Sequence, residues 1–310
     1  MFLDFVLLIV SLAVIIKSAD LAILYSSRLA EGFKLSRYLV GFLIVAVISI
    51  LPETFVAITS ALEGIPAFGL GTLFGSNIAD LTLVFVLVVL ISGRSLKVES
   101  RIIKNRFLHI GAMAVPIILG LDGYYSRSEG VVLIAVGLGF YYLIFKKNKR
   151  ESVTGKKEIK AGNVFKLLLS MAGLLLGAHF TVRYGVDLAR ELSVSPVIIG
   201  MFVVALGTTL PELLFSIRAA KRAYDGLALG DILGTVVADA TIVVGIIVSI
   251  RPFAFNQRLI YISGVCMVFA TVLLFHFMKT GKVLTKREAW LLLLFYFVFA
   301  TAELLVNESF

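Results

Sequence analysis

The sequence predicts an all-α membrane protein of ten transmembrane helices, arranged as two inverted five-helix repeats. Three observations carry that expectation. The chain is 59% hydrophobic with a mean hydropathy of +1.01, against roughly 45–50% apolar residues in ordinary soluble domains. It contains ten apolar runs of membrane-spanning length. One block is also written twice: Glu53 and Glu212 lie 159 positions apart, and Asp80 and Asp239 are separated by the same 159.

The runs fall at about 2–27, 37–62, 66–92, 105–121, 129–146, 161–188, 196–220, 226–250, 258–278 and 287–306. The first, MFLDFVLLIV onward, has no basic n-region and no small-residue cleavage site, so it reads as a retained helix and not as a signal peptide. Runs two and three carry the first copy of the block, as ISILPETFVA and GTLFGSNIAD. Runs four and five are apolar and end at the basic stretch KKNKRESVTGKKEIK, residues 146–160, the only linker-like segment. It divides a first half, 1–145, from a second, 161–310. Runs seven and eight carry the second copy, GTTLPELLFS and GDILGTVVADAT, and runs nine and ten close the chain. An odd number of spans in each half forces the second half to insert upside down, a common plan in secondary transporters.

Charge placement orients the spans. The net charge of +9 would suit a nucleic-acid binder, but the lysines and arginines sit mostly in alternate short loops between apolar runs. The opposite loops hold Arg127, Arg183, Arg190, Arg251 and Arg258. This asymmetry is the signature of membrane topology and makes the richer side cytoplasmic, with both termini outside the cell membrane. The lipid bilayer is therefore an expected partner and nucleic acid is not. Cys266 is the one cysteine, which excludes an intrachain disulfide.

The chemistry lies in four acids inside the apolar runs: Glu53, Asp80, Glu212 and Asp239. A carboxylate at the bilayer centre costs about 2.5–3.5 kcal/mol on insertion scales. No matching set of cationic side chains lies in these runs, so metal ions from solution are the natural partners. Each acid has a hydroxyl four residues earlier: Ser49, Ser76, Thr208 and Thr235. On a continuous helix, positions four apart share a face. Thr209 adds a further hydroxyl. Pro52 and Pro211 cannot donate to the carbonyls of Ile48 and Gly207, and helix breaks there would free backbone oxygens inside a protein-lined cavity. Gly71, Gly75, Gly230 and Gly234 are small-residue steps suited to close helix approach. Carboxylate, hydroxyl and carbonyl oxygens suit hard cations such as Ca2+ or Na+, not Zn2+ or copper.

The two blocks resemble the α-repeats of the sodium/calcium exchanger family, within the cation/calcium antiporter superfamily. GTTLPELLFS and GDILGTVVADAT are similar to that family's G-T-S-L-P-E and G-N-x-x-G-S-N-x-x-D patterns; ISILPETFVA and GTLFGSNIAD are looser matches. The resemblance implies a Ca2+ antiporter, without resident cofactors, that works by alternating access. It implies that Glu53 and Glu212 are the central calcium ligands, with Ser49 and Thr208 supplying side-chain and backbone oxygen. It further implies sodium ligation by Ser76, Thr235, Thr209 and the carbonyls of Ala46 and Ala205, with Asp80 and Asp239 at the centre. Two departures bear on the counter-ion. Ile50 stands where Thr209 keeps a hydroxyl and Ile48 where the motif has glycine, so one sodium site loses a ligand. Asp80 stands where many of these exchangers have asparagine. The counter-ion expected from the sequence is therefore Na+ or H+, with K+ assistance open.

Other readings are weaker. AYDGLALGD, around Asp225 and Asp231, superficially resembles intramembrane aspartyl protease motifs, but that chemistry needs facing aspartates on different helices. The chain is thus not expected to be an enzyme. A channel filter could use rings of acids, yet a twofold repeat around a central site favours alternating access. Lys17 with Asp20, and Arg183 with Asp187, read as neutralising pairs along a helix, and His179 at the repeat position of Asp20 reads as a packing residue.

Overall fold

Apolar segments without a sheet partner satisfy their backbone by coiling, because lipid offers no hydrogen bonds. The computed structural model describes residues 2–33, 35–62, 64, 66–148, 161–191 and 209–307. Its helices are α1 (Phe2–Phe33), α2 (Arg37–Ser49), α3 (Leu51–Leu62), α4 (Pro66–Ala79), α5 (Phe85–Ser92), α6 (Ser100–Lys104), α7 (Arg106–Leu119) and α8 (Arg127–Asn148). They continue as α9 (Ala161–Glu191), α10 (Leu210–Lys221), α11 (Asp225–Val237), α12 (Val244–Ile250), α13 (Val265–Lys279) and α14 (Lys286–Asn307). Two-residue strands β1 (Leu96–Lys97), β2 (Tyr124–Tyr125), β3 (Phe253–Ala254) and β4 (Val283–Leu284) tie the loops, β1 pairing with β4 and β2 with β3, both antiparallel.

Among the described residues, four helical stretches are long and apolar enough to cross a membrane: Gly69–Ser92, Arg127–Lys147, Asp225–Ile250 and Ile260–Lys279. A fifth is the broken span of α2 and α3, bent by 42°. Ten were expected. α1 and α9 reach 32 and 31 residues, but charges such as Lys17, Asp20, Lys166 and Arg183 interrupt their apolar surface. The span expected at 196–220 lies partly outside the described residues, as does the linker expected at 146–160.

The duplication in sequence recurs in the elements. Shifting α3 by 159 residues gives the bounds of α10, and the same shift carries α8 onto α14 and β2 onto β4. The starts of α4, α5 and α7 map onto those of α11, α12 and α13. Local chemistry follows. Ser126 and Glu129 form a capping box before α8, with Ser126 N–H to Glu129 Oε2 at 2.7 Å and Glu129 N–H to Ser126 Oγ at 3.4 Å. Thr285 and Glu288 repeat it before α14 at 2.7 and 3.4 Å. Each box satisfies backbone donors that the first helical turn leaves open.

The chain divides into two compact units, one of Met1–Pro52 with Glu151–Asp231 and the other of Glu53–Arg150 with Ile232–Phe310. Each draws on both halves of the sequence. In the first, α1 packs along α9, and a side chain at Gly173 would meet Ser18 Oγ at 2.6 Å. Their contact continues into an apolar cluster of Ala19, Ile23, Val40, Leu174, Phe215 and Leu227. α2 crosses α11 backbone to backbone: a Cβ at Gly41 would lie 2.5 Å from the Leu227 carbonyl, and one at Gly230 only 2.3 Å from that of Tyr38. Asp20 on α1 takes a hydrogen-bonded ion pair from Arg222 at 3.0 Å. Its expected partner was Lys17, on the same helix; a partially exposed acid is better served by the planar Arg fork past the end of α10.

In the second unit, α8 lies across α12, and α14 across α5, a reciprocal exchange of partners between halves. At the first crossing, a Cβ at Gly130 would come within 2.9 Å of the Gly245 carbonyl, and one at Gly245 within 2.6 Å of that of Gly130. Tyr141 Oη donates to the Gly234 carbonyl at 3.0 Å.

Of the four glycines expected to permit close approach, Gly230 does so, whereas a Cβ at Gly75 would meet nothing within 4 Å. Gly230→Ala is therefore expected to lose about 1–3 kcal/mol through overpacking. Gly75→Ala should fall within about 0.5 kcal/mol of the parent or gain slightly from helix propensity. Thermal unfolding of the two variants in detergent, side by side, checks this ranking; equal stability would contradict the crossing.

Candidate functional site

Two proline-bearing helix starts organise the acids. Glu53 and Glu212 each stand in the first turn of their helix, α3 and α10, immediately after a proline. Proline is tolerated there because the first turn has no partner for its missing N–H. The exposed N–H groups and dipole of a helix start favour an anionic side chain at that place. Both carboxylates are buried, at 1% and 0% exposure.

The first unit holds Ala46, Ser49, Thr209 and Glu212. α2 ends at Ser49, and Ile50 takes a turn conformation (φ −72°, ψ −2°) with its N–H on the Ala46 carbonyl at 3.1 Å. Ser49 and Glu53 were expected to share a helical face. The break at Ile50 puts them on different helices, so the four-residue spacing does not carry that meaning here. Buried Ser49 instead donates to Asp231 Oδ1 at 2.8 Å, with the Ala46 carbonyl a second acceptor at 3.3 Å. Thr209 caps the start of α10, buried, its carbonyl accepting the Leu213 N–H at 3.0 Å. Thr208 and Ala205 lie outside the described residues.

The second unit holds Glu53, Ser76, Asp80, Thr235 and Asp239. α4 runs into a π-turn at Asp80–Val84, and α11 into another at Ala238–Val243. Such turns widen a helix and recur at functional positions. Each is pinned by a threonine that donates to the carbonyl four residues back: Thr82 to Ile78 and Thr241 to Val237, both at 2.5 Å. Ser76 and Thr235 are buried one turn before the aspartates, with Ser76 donating to the Leu73 carbonyl at 3.1 Å. Asp80 and Asp239 are themselves buried, and Asp239 lies within reach of the charges of Glu53 and Asp80. Neither oxygen of Asp239, nor Oδ1 of Asp80, has a hydrogen-bond donor among the described residues.

Buried polar atoms are almost always bonded, so these carboxylate oxygens make Asp80 and Asp239 the candidates for a partner from outside the described residues. Among the described residues, no three His, Cys, Asp or Glu side chains form a ready-made metal cage. A cation held here would fill its shell with hydroxyl and carbonyl oxygens beside the carboxylates, which hard cations accept. Asp225 and Asp231 both lie on α11, so they are not the facing pair that aspartyl proteolysis requires.

Sequence reasoning missed three features. Thr82 and Thr241 were visible only as identical residues in the two copies. Asp231 is a further acid in an apolar run, which by itself was the available signal. The π-turns leave no mark in residue type.

Comparison with known proteins identifies the family. The family model described as sodium/calcium exchanger protein matches residues 3–146 and 163–305. An uncharacterized membrane protein of Methanocaldococcus jannaschii is 29% identical over 289 residues, covering 92% of this chain and 93% of that protein. The sodium/calcium exchanger MaX1 of Methanosarcina acetivorans is 22% identical, covering 96% of this chain and 97% of its own. The solved sodium-calcium exchanger NCX_Mj superposes with a TM-score of 0.85 at 26% identity, over 98% of this chain and 99% of that one. The family match spans both copies of the acid-bearing block, so this chain is a membrane transporter, not an enzyme, and belongs to the sodium/calcium exchanger protein family.

Proposed function

We propose that this protein exchanges Ca2+ for Na+ across the cell membrane by alternating access. The observation that carries the reading is the pair of buried aspartates, Asp80 and Asp239, with carboxylate oxygens that no described donor satisfies. Family membership and similarity to the sodium/calcium exchangers MaX1 and NCX_Mj support the choice of ions.

Ca2+ would be held by Glu53 and Glu212, with Ser49 and Thr208 beside them. Na+ would take Ser76, Thr235, Thr209 and the Ala46 and Ala205 carbonyls, with Asp80 and Asp239 at the centre. Na+ would compete with Ca2+ for Glu53 and Glu212 around the shared centre at Asp80 and Asp239, so occupancy by one would exclude the other, which is the condition for exchange. The fold would be ten spans in two inverted five-helix repeats, with both termini outside. The reciprocal pairing of β1 with β4 and β2 with β3 supports a dyad between the halves. The first helix of each half, α1 and α9, would slide to open one face at a time, as repeat-built transporters do.

A second reading has two observations in its favour. Asp80 adds an acid where many of these exchangers carry an amide, and Ile50 removes a hydroxyl, so a proton could replace Na+ as counter-ion at the same carboxylates.

Two variants test the assignment. Glu53→Gln and Glu212→Gln are each expected to reduce Ca2+ flux into proteoliposomes to background while the purified protein elutes as the parent does; retained flux in either sinks the site. Ile50→Ser is expected to lower the half-saturating Na+ concentration by about tenfold, equivalent to about 1.4 kcal/mol. An unchanged sodium response would make the missing hydroxyl immaterial.

A further inference from the structure

Asp231 is fully buried on α11 and accepts the Ser49 hydroxyl at 2.8 Å. It is held there from behind: a Cβ at Gly41 would lie 3.1 Å from its backbone nitrogen, so α11 rests on α2 at this residue. The proposed calcium site does not use it. The repeat counterpart of Asp231 is Thr72, so the carboxylate belongs to one half only.

We propose that Asp231 is a positioning residue that orients the Ser49 hydroxyl as a cation ligand. A serine hydroxyl has one proton and two lone pairs. The proton has two acceptors in reach, the Asp231 carboxylate at 2.8 Å and the Ala46 carbonyl at 3.3 Å. The Asp231 carboxylate, at the shorter distance, takes it, and an ionised carboxylate would hold it about twice as strongly as a neutral acceptor. Ser49 is then committed as donor on this side, which fixes the direction of its oxygen. The Ala46 carbonyl, which already accepts the Ile50 N–H, keeps its second lone pair. The break after Ser49 thus offers two aimed oxygens, a hydroxyl and a carbonyl. The negative charge behind the hydroxyl increases the electron density on its oxygen. Partners behind a ligand commonly set metal affinity by 10–100-fold.

This inference rests on the Ca2+ reading above, and the experiment separates the two. Half-saturating Ca2+ and maximal uptake are measured in proteoliposomes for the parent, Asp231→Asn, Asp231→Leu, Ser49→Ala, and each Asp231 variant combined with Ser49→Ala. Asp231→Leu is expected to raise half-saturating Ca2+ by about 10–100-fold, with maximal uptake little changed. Asp231→Asn keeps an acceptor oxygen of the same shape and should give a smaller rise. Should the leucine variant fail to fold, the asparagine variant carries the test. On the Ser49→Ala background neither substitution should add a further rise, since residues acting through one another are not additive. Full additivity on that background, or an unchanged half-saturating concentration in Asp231→Asn and Asp231→Leu, overturns the role of Asp231 while leaving the exchanger reading intact. A parent protein that takes up no Ca2+ overturns both.

Discussion

Acidic side chains buried among apolar segments govern this molecule. Asp80, Asp239, Glu53 and Glu212 are withdrawn from water, and Asp239 lies within reach of the like charges of Glu53 and Asp80. Each ionised acid would be costly in such surroundings, and the like charges near Asp239 add to its cost. The chain offsets part of this cost locally. Glu53 and Glu212 sit at helix starts, where backbone dipoles favour negative charge, and prolines fit those starts at little cost. The aspartates sit where the helix widens into π-turns held by Thr82 and Thr241. Under the proposed function, the remainder would fall to an ion taken from solution, and a site that can be completed in more than one way would be the physical basis of exchange.

Duplication supplies the frame for those acids. The same capping box opens α8 and α14, the same threonine pins both π-turns, and the strand ladders trade partners between halves. Backbone contact at Gly130 with Gly245, and at Gly41 and Gly230 with their neighbours, lets helices cross without side chains between them. Where helix faces are lined by lipid-like residues, such close packing is the main attraction between helices. The copies then diverge at Ile50 against Thr209, Ile48 against Gly207, and Asp231 against Thr72. Symmetry sets the scaffold, and under the proposed function these departures from it would bear on ion selectivity.

Much of this was legible in the residues. Acids in apolar runs, repeated at one spacing, pointed to Glu53, Asp80, Glu212 and Asp239, and all four are buried. The break near Pro52 followed from the missing N–H. The face-sharing of Ser49 and Glu53 did not survive, since the break that proline creates falls between them and cancels helical periodicity. The partner of Asp20 was also misjudged: Arg222 is 202 positions away, and no local pattern encodes such a contact. Ser126 with Glu129 and Thr285 with Glu288 were readable as capping boxes from their S/T-x-x-E spacing. The π-turns were not readable, because one extra residue in a helical turn has no characteristic side chain. Asp231 was visible as an acid but not as the partner of Ser49, since that pairing depends on how α2 and α11 cross.

The most direct measurement is Ca2+ uptake by purified protein in proteoliposomes under an outward Na+ gradient, an outward H+ gradient, and no gradient. The account requires uptake that saturates, depends on the Na+ gradient and stops when that gradient is dissipated. Uptake driven by H+ alone would contradict sodium coupling, and uptake indifferent to either gradient would contradict exchange itself.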